Sequence, residues 1–417
     1  MHLIAFSHLR WSFFCQRPQQ LLSRLARDLP VVFVEEPVHD AGPPRLERWR
    51  PGPGVEVLQP HTPVRAAGFH DDQLPLLRQL LAQYLGEEGI GESVAWFYTP
   101  MALPLLAELS PRAVVYDCMD ELAADRRAPR QMRQREAALL RRAQIVLTAG
   151  PALFEAKRAL HANVLCLPSA VDAQAHAPAA SAARLELLLH AERVQGRIPG
   201  PRLGCFGVVD ERVDMDLLAA VAEAEPDWQV VMAGPIAGID ASRLPQRPNI
   251  HWLGDQPHTL LPPLVADWDV CLLPFVQNEA TRFLNPSSTL EYMAAEKPIV
   301  STALPDVVAM YGDVVRVARD APAFVEACRW ALSETPCKRA ERIGDMLATV
   351  ARSSWSEVVQ AVRDALDSVV AARPITVSSA RDDALALQAA QALAATVRPL
   401  TPTPLHAARV RTLARAG

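Results

Sequence analysis

Runs of apolar, strand-forming residues alternate with amphipathic segments twice along this chain, and that repeated βαβ pattern constrains the fold more than any other feature. In the first half the strand-like runs fall at 2–6, 31–34, 55–58, 94–98, 113–116, 145–149 and 164–167. Helical stretches lie between them at 18–29, 72–86, 101–109, 131–142 and 152–159, with Leu21, Leu22 and Leu25 on one face of the first. Strands that are apolar throughout belong in a parallel sheet covered on both sides. The pattern weakens over 173–201, an Ala-rich, Pro-flanked connector with a helix expected at 182–192. It resumes with strand-like runs at 203–206, 229–233, 250–253, 270–274, 299–301 and 314–317, and a last helix at 354–370 presents Trp355, Val358, Val359, Val362 and Leu366 as its apolar face. The expected fold class is therefore α/β, with two doubly wound domains facing across a cleft lined by the loops at the carboxyl ends of their strands. The expected boundaries are 1–172 for the first domain, 173–201 for the connector, 202–350 for the second domain and 351–373 for the closing helix. An appended tail follows at 374–417, rich in Ala, Thr, Pro and Arg and read as partly helical or disordered.

Composition narrows the function classes. The formal net charge is −5, with Lys and Arg scattered rather than gathered into a basic block, which speaks against a nucleic-acid partner. The opening MHLIAFSHLRW turns polar after Phe6 without a basic leader, and no apolar run reaches the length of a membrane span, so a cytoplasmic protein is expected. Cys15, Cys118, Cys166, Cys205, Cys271, Cys328 and Cys337 are dispersed without CxxC pairs, as reduced core thiols would be. No HxxxH or HExxH spacing is present and no acidic pair such as DxD stands out as a metal cradle for a diphosphate, so no metal is called for; GxGxxG, GxSxG and GxxxxGK[ST] are also missing, which removes the common dinucleotide, hydrolase and ATPase readings.

The stretch NPSSTLEYMAAEKPIVST at 285–302 carries the most chemistry. Asn285 and Pro286 close a loop, Ser287, Ser288 and Thr289 supply hydroxyls at an expected helix start, and Glu291 follows on the first turn. Free N–H groups and the helix dipole favour an anion there, while a carboxylate beside it accepts hydrogen bonds from sugar hydroxyls. An ordinary capped helix is the alternative reading. Just upstream, Glu279 and Arg282 sit in a polar loop after a buried strand, placed to meet sugar hydroxyls and phosphate respectively, or to stabilise the loop.

Other strand ends add candidates. The loop after the first strand, SHLRW, holds His8 and Arg10, and QRPQ brings Arg17 to the next helix; either arginine can meet phosphate or an anionic acceptor group, or Arg17 can pair structurally. YDCMDE places Asp117, Asp120 and Glu121 after a strand, where a carboxylate can act as general base, orient sugar hydroxyls or cap a helix; Asp120 is the preferred member and Glu121 a further cleft residue. In FGVVDER, Gly207 permits a close turn and Arg212 can reach a diphosphate, or pair with Asp210, Glu211 or Asp214 in solvated ion pairs. Gly234 and Pro235 end the next strand and let a ligand approach the backbone.

Taken in order, SHLRW, QRPQ, YDCMDE, PSAVD, FGVVDER, AGP, HWLG, LLPF and EYMAAEKPIVST resemble the GT-B glycosyltransferases, specifically the glycosyltransferase 4 and 1-like group with bacterial teichuronic-acid and cell-surface polysaccharide enzymes. The resemblance spans about residues 1–370. It implies two Rossmann-like domains, the second holding a nucleoside diphosphate sugar and the first an acceptor, with Glu291 at the place of the ribose-binding glutamate and Arg212 near that of a diphosphate-binding basic residue. Relatives commonly carry an acidic residue eight positions before that glutamate, where this chain has Phe283, a lysine where it has Ser288 and a glycine where it has Glu296.

The resemblance thus implies a metal-independent, retaining transfer of a hexosyl group from a nucleoside diphosphate sugar to a glycan or lipid-linked acceptor. Asp120, Arg212 and Glu291 would be its central residues, no cofactor would be required beyond the donor, and peripheral association with the inner face of the cell membrane would be compatible with such an acceptor. A catalytically impaired GT-B-like binding or scaffold subunit and a sugar-nucleotide epimerase on the same architecture are the alternatives, and the oligomeric state is left open.

Overall fold

The computed structural model describes residues 1–13, 15–124, 128–172 and 182–371. The expected tail at 374–417 and the first part of the connector lie outside the described residues. Among those described, nine strands form the first sheet: β1 (His2–Ser7), β2 (Val31–Glu35), β3 (Val38–His39), β4 (Arg45–Gly52), β5 (Val55–Thr62), β6 (Glu92–Phe97), β7 (Ser110–Cys118), β8 (Ile145–Thr148) and β9 (Val164–Cys166). Their order is β3-β5-β2-β1-β6-β7-β8-β9, all parallel along this path, with β4 antiparallel to β5. Helices α1 (Arg17–Leu25), α2 (Leu74–Glu87), α3 (Met132–Arg142) and α4 (Pro151–Arg158) connect them.

A helix α5 (Ala182–Gln195) leads into the second sheet, formed by β10 (Arg202–Phe206), β11 (Gln229–Ala233), β12 (Ile250–Gly254), β13 (Val270–Leu273), β14 (Ile299–Thr302) and β15 (Arg316–Ala318). This sheet is parallel throughout, in the order β12-β11-β10-β13-β14-β15. Its helices are α6 (Met215–Ala224), α7 (Leu261–Ala266), α8 (Ser288–Ala294), α9 (Pro305–Tyr311), α10 (Ala321–Leu332) and α11 (Pro336–Ala351). The last helix, α12 (Trp355–Val370), returns to the first lobe, where Trp355, Val359, Val362 and Leu366 join the core built on Leu21, Leu25 and Val31.

Both sheets are buried on both sides, which is why their strands read as unbroken apolar runs. Along β1, Ile4 and Phe6 pack into one core while Leu3 and Ala5 pack into another on the opposite face. In the second lobe Cys271 and Leu273 face one core, Val270 and Leu272 the other. Strand order reverses between β1 and β6 in the first sheet and between β10 and β13 in the second. Loops leaving a doubly wound sheet diverge at such a point and leave a crevice, so the loops after β1 and β10 are the natural walls of a site.

Two local expectations differ from the structure, and one strand was not expected. The helix expected at 101–109 is a 3₁₀ helix, Pro100–Glu108, because Pro104 inside it lacks the N–H that an α-helix requires. The final strand lies at Arg316–Ala318 rather than 314–317, since Val314 and Val315 bond back to the Tyr311 carbonyl at the end of α9. The edge strand β4, RLERWRPG, escapes an apolar-run reading because mostly exposed polar residues make it up.

Candidate functional site

In the first lobe, the loop after β1 is tied to a buried carboxylate. Glu35, fully buried at the end of β2, accepts hydrogen bonds from the Trp11 amide at 2.7 Å, Arg10 Nη1 at 3.0 Å and Gln59 Nε2 at 2.8 Å. Arg10 also donates to the Glu36 carbonyl, so it braces this loop and does not line the cleft. Arg17 opens α1, where Pro18 is tolerated because the first turn has no intrahelical partner for its missing N–H. Its guanidinium crosses the lobe to the fully buried Asp117 on β7, Nε lying 3.0 and 3.2 Å from the two carboxylate oxygens, and Nη1 donates to the Leu167 carbonyl at 2.6 Å.

Directly after β7, Met119 and Asp120 line the cleft. Glu121 turns away from it and accepts from Lys157 Nζ at 2.7 Å; the same ammonium donates to Glu136, also at 2.7 Å, and Glu136 in turn accepts from the Tyr116 hydroxyl. Glu121, expected at the cleft, is therefore part of an ion cluster with Lys157 of α4 and Glu136 of α3 and does not line it. His8 lies close enough to Asp120 to feel its charge; burial nevertheless holds the imidazole below its usual range, against the pull of Asp120 and a hydrogen bond to the Tyr98 backbone.

In the second lobe, Gly207 follows β10 with φ +139 and lines the cleft. Gly234 follows β11 with φ +152, and a Cβ there would stand 1.9 Å from the Gly207 carbonyl oxygen. The need for glycine at 234 is thus close packing of two turns. Pro235 shares in that packing, its carbonyl accepting from the Val209 amide at 2.9 Å; neither residue lines the cleft. Arg212 does line it, with Nε and Nη2 bonded to the Asp210 carboxylate at 2.7–3.1 Å. Burial works against its charge, but Asp210, Asp120 and Glu211 together outweigh burial and hold the guanidinium above its ordinary range.

The loop after β13 brings Phe275, Leu284, Asn285, Pro286, Ser287 and Ser288 to the same cleft. Glu279 and Arg282 are exposed, pair with each other at 3.6 Å and stay outside it. Phe283 instead packs against the first lobe's core. On α8, Thr289 is fully buried, and its hydroxyl finds no partner. Glu291 is half-buried, and burial pushes its carboxyl up to about 8.

The cleft encloses about 150 Å³ and joins Gln16, Arg17, Met119, Asp120 and Ser169 of the first lobe to Gly207, Arg212 and the 284–288 loop of the second. Asp120 is also near enough to Arg212 to raise it electrostatically. Two clasps hold these walls together. Asn285 Nδ2 donates to the Ala149 carbonyl at 3.0 Å, and the Asp306 carboxylate accepts from the Ala152 amide at 2.8 Å. Burial raises the Asp306 carboxyl, and that amide pulls it back. Gly150, Asp306 and the clasping role of Asn285 were not read from sequence, although a glycine between a strand and a proline-led helix is a signal for close approach. Among the described residues, no group of three His, Cys, Asp or Glu gathers to hold a metal, and no helix is long and apolar enough to cross a membrane.

Comparison with known proteins gives this geometry a context. Residues 200–334 match the family described as Glycosyl transferases group 1. The putative teichuronic acid biosynthesis glycosyltransferase TuaH of Bacillus subtilis (strain 168) is 27% identical over 280 residues, covering 62% of this chain and 68% of that protein. Among solved structures, sucrose-phosphate synthase (tll1590) from Thermosynechococcus elongatus superposes with a TM-score of 0.69 at 14% identity, covering 89% of this chain and all (100%) of that one. Anabaena Alr3699/HepE in complex with UDP and glucose gives 0.65 at 15% identity, covering 88% of this chain and 100% of that one. At such identities the likeness is one of fold, and the fold is GT-B.

Proposed function

We propose that this chain, a glycosyltransferase of the GT-B fold with a group 1 domain over residues 200–334, moves a hexosyl group from a nucleoside diphosphate sugar to a glycan or lipid-linked acceptor in cell-surface polysaccharide synthesis. The observation that carries the reading is the shared cleft at the two points of strand-order reversal, where Asp120 and Arg17 face Gly207, Arg212 and Ser287–Ser288. The second lobe takes the donor. Gly207 lets the nucleotide approach the backbone, Arg212 keeps Nη1 available to a phosphate while Nε and Nη2 hold Asp210, and Ser287 and Ser288 at the helix start supply N–H groups, the Thr289 amide being bonded to the Pro286 carbonyl. Glu291 receives the ribose hydroxyls. Charge that develops on the departing diphosphate is the main quantity these groups stabilise.

On the other wall, Asp120 orients the acceptor or the transferred sugar, with His8 beside it. The transfer proceeds with retention at the anomeric carbon and without a bound metal: the diphosphate leaves and takes up the acceptor's hydroxyl proton as the new glycosidic bond forms. The setting is the cytoplasmic side of the membrane. TuaH is named for teichuronic acid biosynthesis and the HepE structure for UDP and glucose, which supports a nucleotide sugar as donor.

A binding or scaffold subunit is the second reading, favoured by Phe283, which packs on the first lobe's core at the position where the resemblance implies an acidic residue. Calorimetric titration with UDP-, GDP- and TDP-sugars, followed by product analysis, separates the two. Saturable donor binding, lost in Glu291→Ala, with a transferred sugar among the products establishes the transferase; donor binding without product leaves the scaffold, and a rearranged donor identifies an epimerase.

A further inference from the structure

Arg17 keeps one guanidinium nitrogen without a partner in the wall of the cleft. Asp117 and the Leu167 carbonyl occupy Nε and Nη1, while Nη2 is buried without a partner and the whole side chain is only 3% exposed. A buried charged donor without an acceptor is costly, and native interiors rarely leave one unless a water or a ligand completes it. The two bonds already made hold the guanidinium plane in place, so Nη2 is a preorganised donor.

Charge decides which oxygen suits it. Asp117, fully buried, offsets the guanidinium charge at contact distance. Arg212, the other cation lining the cleft, is likewise paired with Asp210, and Asp120 adds a carboxylate. Both cations are therefore matched before any ligand arrives. The donor's diphosphate is served by Arg212, whose side chain is 32% exposed against 3% for Arg17, and by the N–H groups of Ser287 and Ser288, whereas the wall around Arg17, Gln16 and Ser169 retains no surplus positive charge for a second anion. We infer that Arg17 Nη2 is the acceptor-recognition donor of this cleft and takes a neutral hydroxyl oxygen of an acceptor sugar, so that the acceptor enters by an uncharged sugar unit and not by a phosphate or carboxylate. This rests on the transferase reading, and it replaces the anionic ligand expected at Arg17 from sequence.

The test is saturation-transfer NMR of glucose, galactose and mannose against glucose 6-phosphate and glucuronate, with and without saturating UDP, on the full chain and on Arg17→Lys. Lysine keeps a positive charge against Asp117 but has no Nη2. At least one neutral hexose is expected to bind, to bind more tightly than the anionic sugars, and to lose about tenfold or more in affinity in the variant, while UDP affinity stays within about twofold. Unchanged hexose affinity in Arg17→Lys would mean that water alone completes Nη2, and it overturns the inference. So does weakened UDP binding, a preference for the anionic sugars, or the absence of hexose binding in the wild type. If Arg17→Lys does not fold, the neutral pair Arg17→Gln with Asp117→Asn is read in the same titrations. Failure of the wild type to bind any nucleotide sugar sinks the transferase reading separately, because the hexose titrations without UDP still decide Arg17.

Discussion

The Asp306 carboxylate accepts a hydrogen bond from the Ala152 amide at 2.8 Å, so an aspartate of the second lobe caps the first turn of a helix in the first. Gly150 makes the approach possible: a Cβ there would lie 1.9 Å from Asp306 Oδ2 and 3.3 Å from Asn285 Cβ. Its backbone is extended, φ −168, which any residue adopts, so the need for glycine is steric and not conformational. Gly150→Ala is expected to cost about 1–3 kcal/mol through overpacking and to lower turnover by separating the cleft walls that Asn285 and Asp306 hold together. Urea denaturation and initial rates with a donor found by the calorimetric screen check both effects; wild-type values for both would show that the lobes need no such contact.

How much of this was legible depended on where each residue's partner lies along the chain. The two parallel sheets were readable because strands buried on both faces are apolar without interruption, as in VVFVE of β2. The edge strand β4 was not, because Arg48 and Arg50 are held by Glu56 and Glu88, and Arg45 by Asp40, across the surface instead of by a core. At the site, strand-end loops announced Asp120, Gly207, Arg212 and Ser287, since a doubly wound sheet places its cleft there. The sequence could not show that Arg10 meets Glu35, that Glu121 meets Lys157 or that Asp306 meets Ala152, for those pairings join separate elements only once the chain has folded.

Thr289 offers a test of whether the helix start uses its hydroxyl. Its Oγ1 is fully buried with no partner, and the residue does not line the cleft, which Ser287 and Ser288 do. Replacing a buried unsatisfied hydroxyl by a methyl group of similar shape removes a desolvation cost. Thr289→Val is expected to raise the urea midpoint by an amount equivalent to about 1 kcal/mol and to leave UDP affinity unchanged. A loss of UDP affinity in this variant would instead assign the hydroxyl to a phosphate.

Arg212 should separate binding from stability. Its bonds to Asp210 join partly exposed groups and contribute roughly 0–1 kcal/mol to the fold. A charge-assisted hydrogen bond to a diphosphate contributes more, about 1.5–3 kcal/mol. Arg212→Met is therefore expected to weaken UDP by about tenfold to a hundredfold with little change in melting temperature. Equal UDP affinity in the two proteins, measured by calorimetry, would remove Arg212 from the donor site.

Glu291 makes a pH-dependent prediction with a definite sign. Burial raises its carboxyl from the ordinary 4.5 to about 8, so the folded protein disfavours the ionised form that the unfolded chain accepts readily. Between those two values the folded state binds more protons than the unfolded one, and stability therefore falls as pH rises. The favourable contribution is complete below the ordinary carboxylate range and is lost progressively as pH climbs through about 8. Glu291→Gln is neutral at every pH and lacks this slope. Urea midpoints at pH 5, 7 and 9, taken without ligand, should show the wild type losing ground steadily to the variant as pH increases, and a gap that stays constant across the three would mean that the Glu291 carboxyl titrates as an ordinary glutamate.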